Sequence, residues 1–200
     1  MNSRSIADLV YHLGRIATGD GLMEGPVEGL TASQWAALRY FAQANRFSRT
    51  PSAFAAFHGT TRGTASQTIK SIETLGYLTR IRSEDDRRSV KFVLTEKAMD
   101  ILANDPLESL VRATDSLPHS LRKHFSEALQ RMVGQVAKER GKPPFGTCTS
   151  CRHLKCHNCS RDEQMPYECG LTRAPLILEE LDGVCINFAP GNPITIPSVS

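Results

Sequence analysis

Thr60-Thr61-Arg62-Gly63-Thr64-Ala65-Ser66-Gln67-Thr68-Ile69-Lys70-Ser71-Ile72-Glu73-Thr74-Leu75-Gly76 is the stretch that decides how this chain is read. A threonine at 60 or 61 can cap a helix start, and Gly76 can end it. Between them Ala65, Ile69, Ile72 and Leu75 recur at helical spacing and form one apolar stripe. Arg62, Thr64, Ser66, Gln67 and Lys70 fall outside that stripe, so the spacing predicts a helix buried on one side and polar on the other. Such a helix fits the major groove of B-form DNA, its first turns reaching base edges and its flanks touching phosphates. Arginine can bond guanine in bidentate fashion and glutamine adenine. Thr60, Thr61, Thr64 and Ser66 are short side chains suited to phosphate oxygens or to a thymine methyl.

On the upstream side, Thr31-Ala32-Ser33-Gln34 reads as a capping box, with Leu30 and Trp35 at the positions of a hydrophobic staple. The helix it starts should bury Trp35, Leu38 and Phe41. Thr50-Pro51 opens a second, short helix carrying Phe54 and Phe57, closed by His58-Gly59. Further back, Ile6, Leu9, Val10, Leu13 and Ile16 predict a helix over 4–17, followed by a Gly-rich loop at 19–29. On the downstream side, Tyr77 to Arg82 can run extended, six residues from Ser83 to Arg88 turn the chain, and Val90, Phe92 and Leu94 alternate on the way back. The result is a hairpin whose tip presents Arg82, Arg87 and Arg88, with Lys91 behind. Thr95 caps another helix, and Asp105-Pro106-Leu107-Glu108 reads as a fresh capping box that breaks it. From Pro118 onward Leu121, Phe125, Leu129, Met132 and Val136 make a stripe without a partner in their own subunit, the kind of face a second copy covers.

The 200 residues, 40% hydrophobic and 22% charged, suit a globular chain and are too apolar for wholesale disorder. No apolar run approaches a membrane span, and the first twenty residues lack a secretory core, so the expected setting is cytoplasmic, away from the membrane. The net charge is +3, with 19 Lys/Arg against 15 Asp/Glu in residues 1–140 and 5 against 6 in 141–200. The basic excess therefore lies with the helical part. A seam follows at Arg140-Gly141-Lys142-Pro143-Pro144, where proline forbids the helix to continue. We divide the chain into a helical domain over 1–140, a cysteine-rich segment over 141–185 and an extended tail over 186–200, draped through Phe188 and Ile194.

At this point the chain resembles the MarR family of bacterial regulators over roughly residues 5–140. The resemblance is carried by Leu30-Thr31-Ala32-Ser33-Gln34-Trp35, by Thr64 to Leu78 ending in Leu75-Gly76-Tyr77-Leu78, by the wing Asp85-Asp86-Arg87-Arg88 and by Val93-Leu94-Thr95-Glu96-Lys97-Ala98. It implies a mainly α fold with a small β-hairpin, a winged helix-turn-helix whose terminal helices intertwine in a homodimer. It further implies a palindromic double-stranded DNA operator as partner, with a small-molecule effector left open. Carried onto this sequence, Arg62, Thr64, Ser66, Gln67 and Lys70 are recognition-helix positions, and Arg87 or Arg88 is the minor-groove residue of the wing, oriented by Asp86. The short helix Ser52–Phe57 departs from the pattern in its two phenylalanines and its early end.

All six cysteines fall within 38 residues, Cys148 to Cys185, which points to metal or redox chemistry. Three ligand sets fit the spacing. One takes Cys148, Cys151, Cys169 and Cys185, with Pro175 to Leu178 and Leu181 as an apolar shell. A second uses the two knuckles Cys148-x2-Cys151 and Cys156-x2-Cys159, and a third follows the plant-ferredoxin spacing of Cys151, Cys156, Cys159 and a distant cysteine. We take the first, with Cys156 and Cys159 as alternates, and treat His153 and His157 as loop residues. Thiolate ligation suits both Zn2+ and an iron–sulfur cluster, and the choice stays open at this stage. The expected function is a non-enzymatic transcription regulator whose cysteine segment braces the dimer or senses oxidant or metal. Two other classes compete: a thiol or iron–sulfur oxidoreductase that borrows the winged helix for protein contacts, and a winged-helix interaction module.

Overall fold

A computed structural model of the chain describes residues 2–18, 29–82, 90–156 and 167–191. The capping signals act where they are written. Gln34 N–H donates to Thr31 Oγ1 at 3.3 Å while Thr31 N–H donates to Gln34 Oε1 at 2.8 Å, starting a helix over Ala32–Gln43. That helix is α2, following α1 over Ser3–Thr18. Thr50 caps α3, Pro51–His58, whose end is turned by Gly59 at φ 64°, a conformation that carries no Cβ penalty in glycine. Thr61, rather than Thr60, caps α4, Arg62–Thr74, accepting from Thr64 N–H at 3.1 Å. Gly76, at φ 79°, then turns the chain into β1, Leu78–Arg82, which pairs antiparallel with β2, Val90–Leu94, in the register Leu78↔Leu94 to Arg82↔Val90.

The core collects one stripe from each of these elements. Trp35, Leu38 and Phe41 of α2, Phe54 of α3, Ile69 and Ile72 of α4, and Phe92 of β2 form a single buried cluster with Leu30. Gln34 Nε2 donates to Ser71 Oγ at 2.9 Å, tying the start of α2 to the buried flank of α4. One expectation needs correction. Leu75 is not in the inner stripe but 42% exposed: it still donates its N–H to Ser71 O as the C-cap of α4, but it lies beyond the reach of the buried cluster. In β2, Phe92 is buried and Val90 exposed, since a two-stranded hairpin projecting from the core has little to pack its outer end against.

Thr95 caps α5, Glu96–Leu102, and the expected break follows before α6, Glu108–Asp115. It is not a capping box: α6 has no side-chain cap, and Asp105 instead accepts from Leu107 N–H at 2.7 Å while receiving the Arg39 guanidinium. The last helix, α7, spans His119–Glu139 without a buried residue. Beyond it lie a 3-10 turn at Cys148–Ser150 and a three-stranded antiparallel sheet of β3, Leu154–Cys156, β4, Tyr167–Cys169, and β5, Ala174–Leu176, in that order. Tyr167, Leu154, Leu176 and Leu181 give this segment a small core of its own. Among the described residues no helix is long and apolar enough to cross a membrane.

Candidate nucleic-acid interface and cysteine cluster

Helix α4 is held in place by the half it buries. Ala65 and Ile72 have no exposed surface and Ile69 has 2%, so rotation about the helix axis would drag apolar carbon into water. With that side fixed, Thr61, Arg62, Thr64, Ser66, Gln67 and Lys70 all stand exposed on the other. Thr61 and Thr64 are already joined through their hydroxyls at 2.9 Å, leaving Arg62, Ser66, Gln67 and Lys70 as the longer or freer donors of the face. The hairpin leaves the core beside this helix, where Arg80 of β1 holds Glu73 of α4 through two contacts of 2.5 and 2.8 Å. Arg80 therefore neutralises the acid at the back of α4. Arg82 ends β1, and the wing-tip residues Arg87 and Arg88, with Asp85 and Asp86, lie outside the described residues.

The cysteines form the second grouping. Cys148, Cys151, Cys169 and Cys185 carry free thiols and line one cavity of about 10 Å3, enough for a single water-sized sphere, with Phe47 and Leu176 among its walls. Cys148, Cys151 and Cys185 are buried and Cys169 partly so. Their backbones are pinned from separate directions: Cys151 N–H donates to Cys148 O at 3.0 Å, Cys148 N–H to Leu181 O at 2.8 Å and Cys185 N–H to Gly146 O at 2.9 Å, while Cys169 pairs with Leu154. Burial, then the neighbouring sulfurs of Cys185, Cys151 and Cys169 and the Glu180 carboxylate, push the Cys148 thiol up to about 12. Burial also raises Cys185, against the pull of the Asn45 side chain and the Asn187 backbone N–H. As the side chains stand, no group of three or more His, Cys, Asp or Glu among the described residues is set to hold a metal ion. Of the alternates, Cys156 is in a disulfide and Cys159 lies outside the described residues, as does His157. His153 lines the same cavity, partly buried.

The feature that the sequence did not announce is the platform for this segment, the turn between α2 and α3. Ala44 and Val184 form a parallel bridge, with Val184 N–H donating to Gln43 O at 2.7 Å and Asn45 N–H to Val184 O at 3.0 Å. Ile186 N–H donates to Ser48 Oγ at 2.8 Å, and Ile186 packs on the main core. Arg46 reaches the carbonyl of Pro175 and the carboxylate of Glu180, the latter at 3.3 Å. A Cβ on Gly183 would stand 2.9 Å from Asn45 Cβ, so the two backbones approach as closely as they do because position 183 has no side chain. The start of the tail is thus built into the domain, and Phe188 lies over Gly146; Ile194 is outside the described residues. No local pattern could have shown this, since Ser48 and Ile186 are 138 positions apart.

Compared with known proteins, residues 28–89 match the model of the MarR family. No curated protein matches the chain. Among solved structures, the transcriptional regulator PA3341 is similar at 20% identity and a TM-score of 0.53, over 68% of this chain and 99% of that one. MepR of S. aureus, solved in complex with DNA, is similar at 14% identity and a TM-score of 0.50, over 68% of this chain and 96% of that one. Both likenesses are of fold, and they place about two thirds of this chain in the fold that these two proteins share.

Proposed function

We propose that this chain is a sequence-specific DNA-binding transcription regulator, not an enzyme, acting in the cytoplasm as a homodimer on a palindromic operator. The observation that carries this reading is the outward polar face of α4, fixed by the buried stripe beneath it and flanked by a hairpin. In this reading the exposed Arg62, Gln67 and Lys70 supply the base-reading and phosphate-reading groups that a helix entering the major groove needs, with Thr61, Thr64 and Ser66 as shorter partners. Arg82, Arg87 and Arg88 add the wing contacts in the same reading. The match of residues 28–89 to the MarR family model and the fold shared with MepR, a protein solved on DNA, support it. In this reading the cysteine segment holds a thiolate-ligated group, Zn2+ or an iron–sulfur cluster, that braces the reader or responds to oxidant or metal.

The operator is found by selecting tight binders from a random duplex library with the full chain, and its affinity is then measured by fluorescence anisotropy. Arg62→Ala should weaken binding to the selected duplex by about 1–3 kcal/mol and relax preference at one base pair, as loss of one bidentate base contact does. Lys70→Ala should weaken all duplexes alike and lower the slope of log affinity against log salt by about 1. Failure to enrich any duplex, or binding that neither variant alters, would overturn the reading.

A further inference from the structure

Four sulfurs line one small cavity, and three N–H groups are directed at two of them, Cys151 and Cys185. Ala189 N–H donates to Cys151 Sγ at 3.5 Å, and Asn187 N–H is directed at Cys185. The third donor is Asn45, 5% exposed. Its amide oxygen is engaged by Ser48 Oγ–H at 2.9 Å and Phe47 N–H at 3.1 Å, which fixes which way the amide faces. Its Nδ2 completes no hydrogen bond of normal geometry, and the group it addresses is the Cys185 sulfur. A neutral thiol is a weak acceptor, so donors aimed at sulfur in this number suit sulfur that carries negative charge. Negative charge inside an apolar enclosure is costly unless a cation shares it.

We infer that Cys148, Cys151, Cys169 and Cys185 bind one tetrahedral divalent cation of the zinc kind, with Asn45 as a positioning residue that donates to the Cys185 thiolate. Four single thiols around a water-sized cavity match a closed four-coordinate site, whereas a cluster would also have to house its sulfides. Seating the ion needs the four sulfurs to draw together around it, their backbones being pinned already. Each thiol passes its proton to solvent water as its sulfur bonds the ion; nothing is oxidised or reduced, and the site is left with a charge of −2, two bound-ion charges against four thiolates. The three N–H donors temper that charge. Because Cys185 is followed by Ile186, which is bonded to Ser48, the ion also fastens the segment to the turn that leads into α3. The inference deepens the reading of the cysteine segment and is independent of DNA binding, so metal content and operator affinity can fail separately.

Full-length protein, purified without added metal and without oxygen, is expected to contain one zinc per chain and to be colourless. Replacement by Co2+ should give the intense visible bands of tetrahedral cobalt–thiolate, a result that needs no variant and so does not depend on a mutant folding. Cys148→Ser and Cys169→Ser should lose those bands, and Cys156→Ser should keep them. Asn45→Ala should weaken Zn2+ in a chelator competition by roughly 10- to 100-fold, the usual cost of a lost partner around a metal ligand. Brown protein with iron and acid-labile sulfide, metal-free protein that takes up no Co2+, Cys156→Ser losing the ion, or Asn45→Ala binding Zn2+ as tightly as the parent would each overturn the assignment.

Discussion

A Phe125→Glu, Met132→Glu double variant is expected to be monomeric where the parent chain is dimeric, and to bind the operator on the order of a thousandfold more weakly. Phe125 and Met132 lie seven residues apart on α7, on the stripe that also holds Leu121, Leu129 and Val136. Leu121 is 51% exposed and Val136 48%, and α1 shows the same condition at Leu9 and Ile16, at 56% and 58%. Among the described elements none packs extensively against α1, α6 or α7. Isolated subunits seldom leave contiguous apolar surface of this extent in water. A second copy laying its own α1 and α7 against these faces would cover them, and two-fold symmetry would set the two α4 helices apart for half-sites about 34 Å apart.

The size of the effect comes from losing one reader of two. Specific affinity exceeds non-specific affinity by ~10³-fold or more in such proteins, and a lone half-site contact keeps only part of that margin. Sedimentation equilibrium reads the mass, and anisotropy on the selected duplex reads the binding. Because neither residue touches the core of α2, α3 and α4, the variant should keep its helical circular dichroism. A parent chain that is already monomeric, or a variant that stays dimeric, would remove the assembly from the proposal.

What the sequence made legible was whatever is decided within a few residues. The threonine caps at 31, 50, 61 and 95 each satisfy their own helix start, so they can be read without knowing the rest of the fold. The polar face of α4 was legible for the same reason, since the stripe that opposes it lies on the same helix. Leu75 was misread because helical spacing says nothing about how far along a helix the core extends. The first residues assigned to the tail belong to the domain instead: Ile186 packs on the main core and Asn45, which no motif marks, faces the cysteines from the α2–α3 turn. The tetrapeptide at Asp105 shows the same limit. Its residues would suit a cap, yet the carboxylate accepts from Leu107 N–H and from an arginine 66 positions away, a partner that no local pattern could show.

Asp105→Ala is therefore expected to destabilise the fold by about 3 kcal/mol, far more than removal of a helix cap. Arg39 Nε and Nη2 approach the two carboxylate oxygens at 2.7 and 2.5 Å, and the side chains retain only 18% and 16% of their exposure. Truncation leaves the guanidinium of α2 half-enclosed over Trp35 with no counter-charge, and leaves Leu107 N–H without its acceptor. The melting temperature should fall by roughly 6–12 °C, at ~2–4 °C per kcal/mol for a chain of this size. The pH dependence separates this cause from simple loss of packing. Burial alone would raise the Asp105 carboxyl, but the Arg39 hydrogen bonds and charge and the Leu107 N–H hold it below its ordinary value. A carboxyl depressed in the folded state contributes its stability above the unfolded pKa of about 3.9, and loses it as pH falls through the lower folded value. Denaturant melts of parent and variant should therefore differ by a constant amount at neutral pH and converge as the pH drops below about 4. A gap that persists undiminished under acid would show that the carboxylate's charge is not what joins α2 to the α5–α6 break.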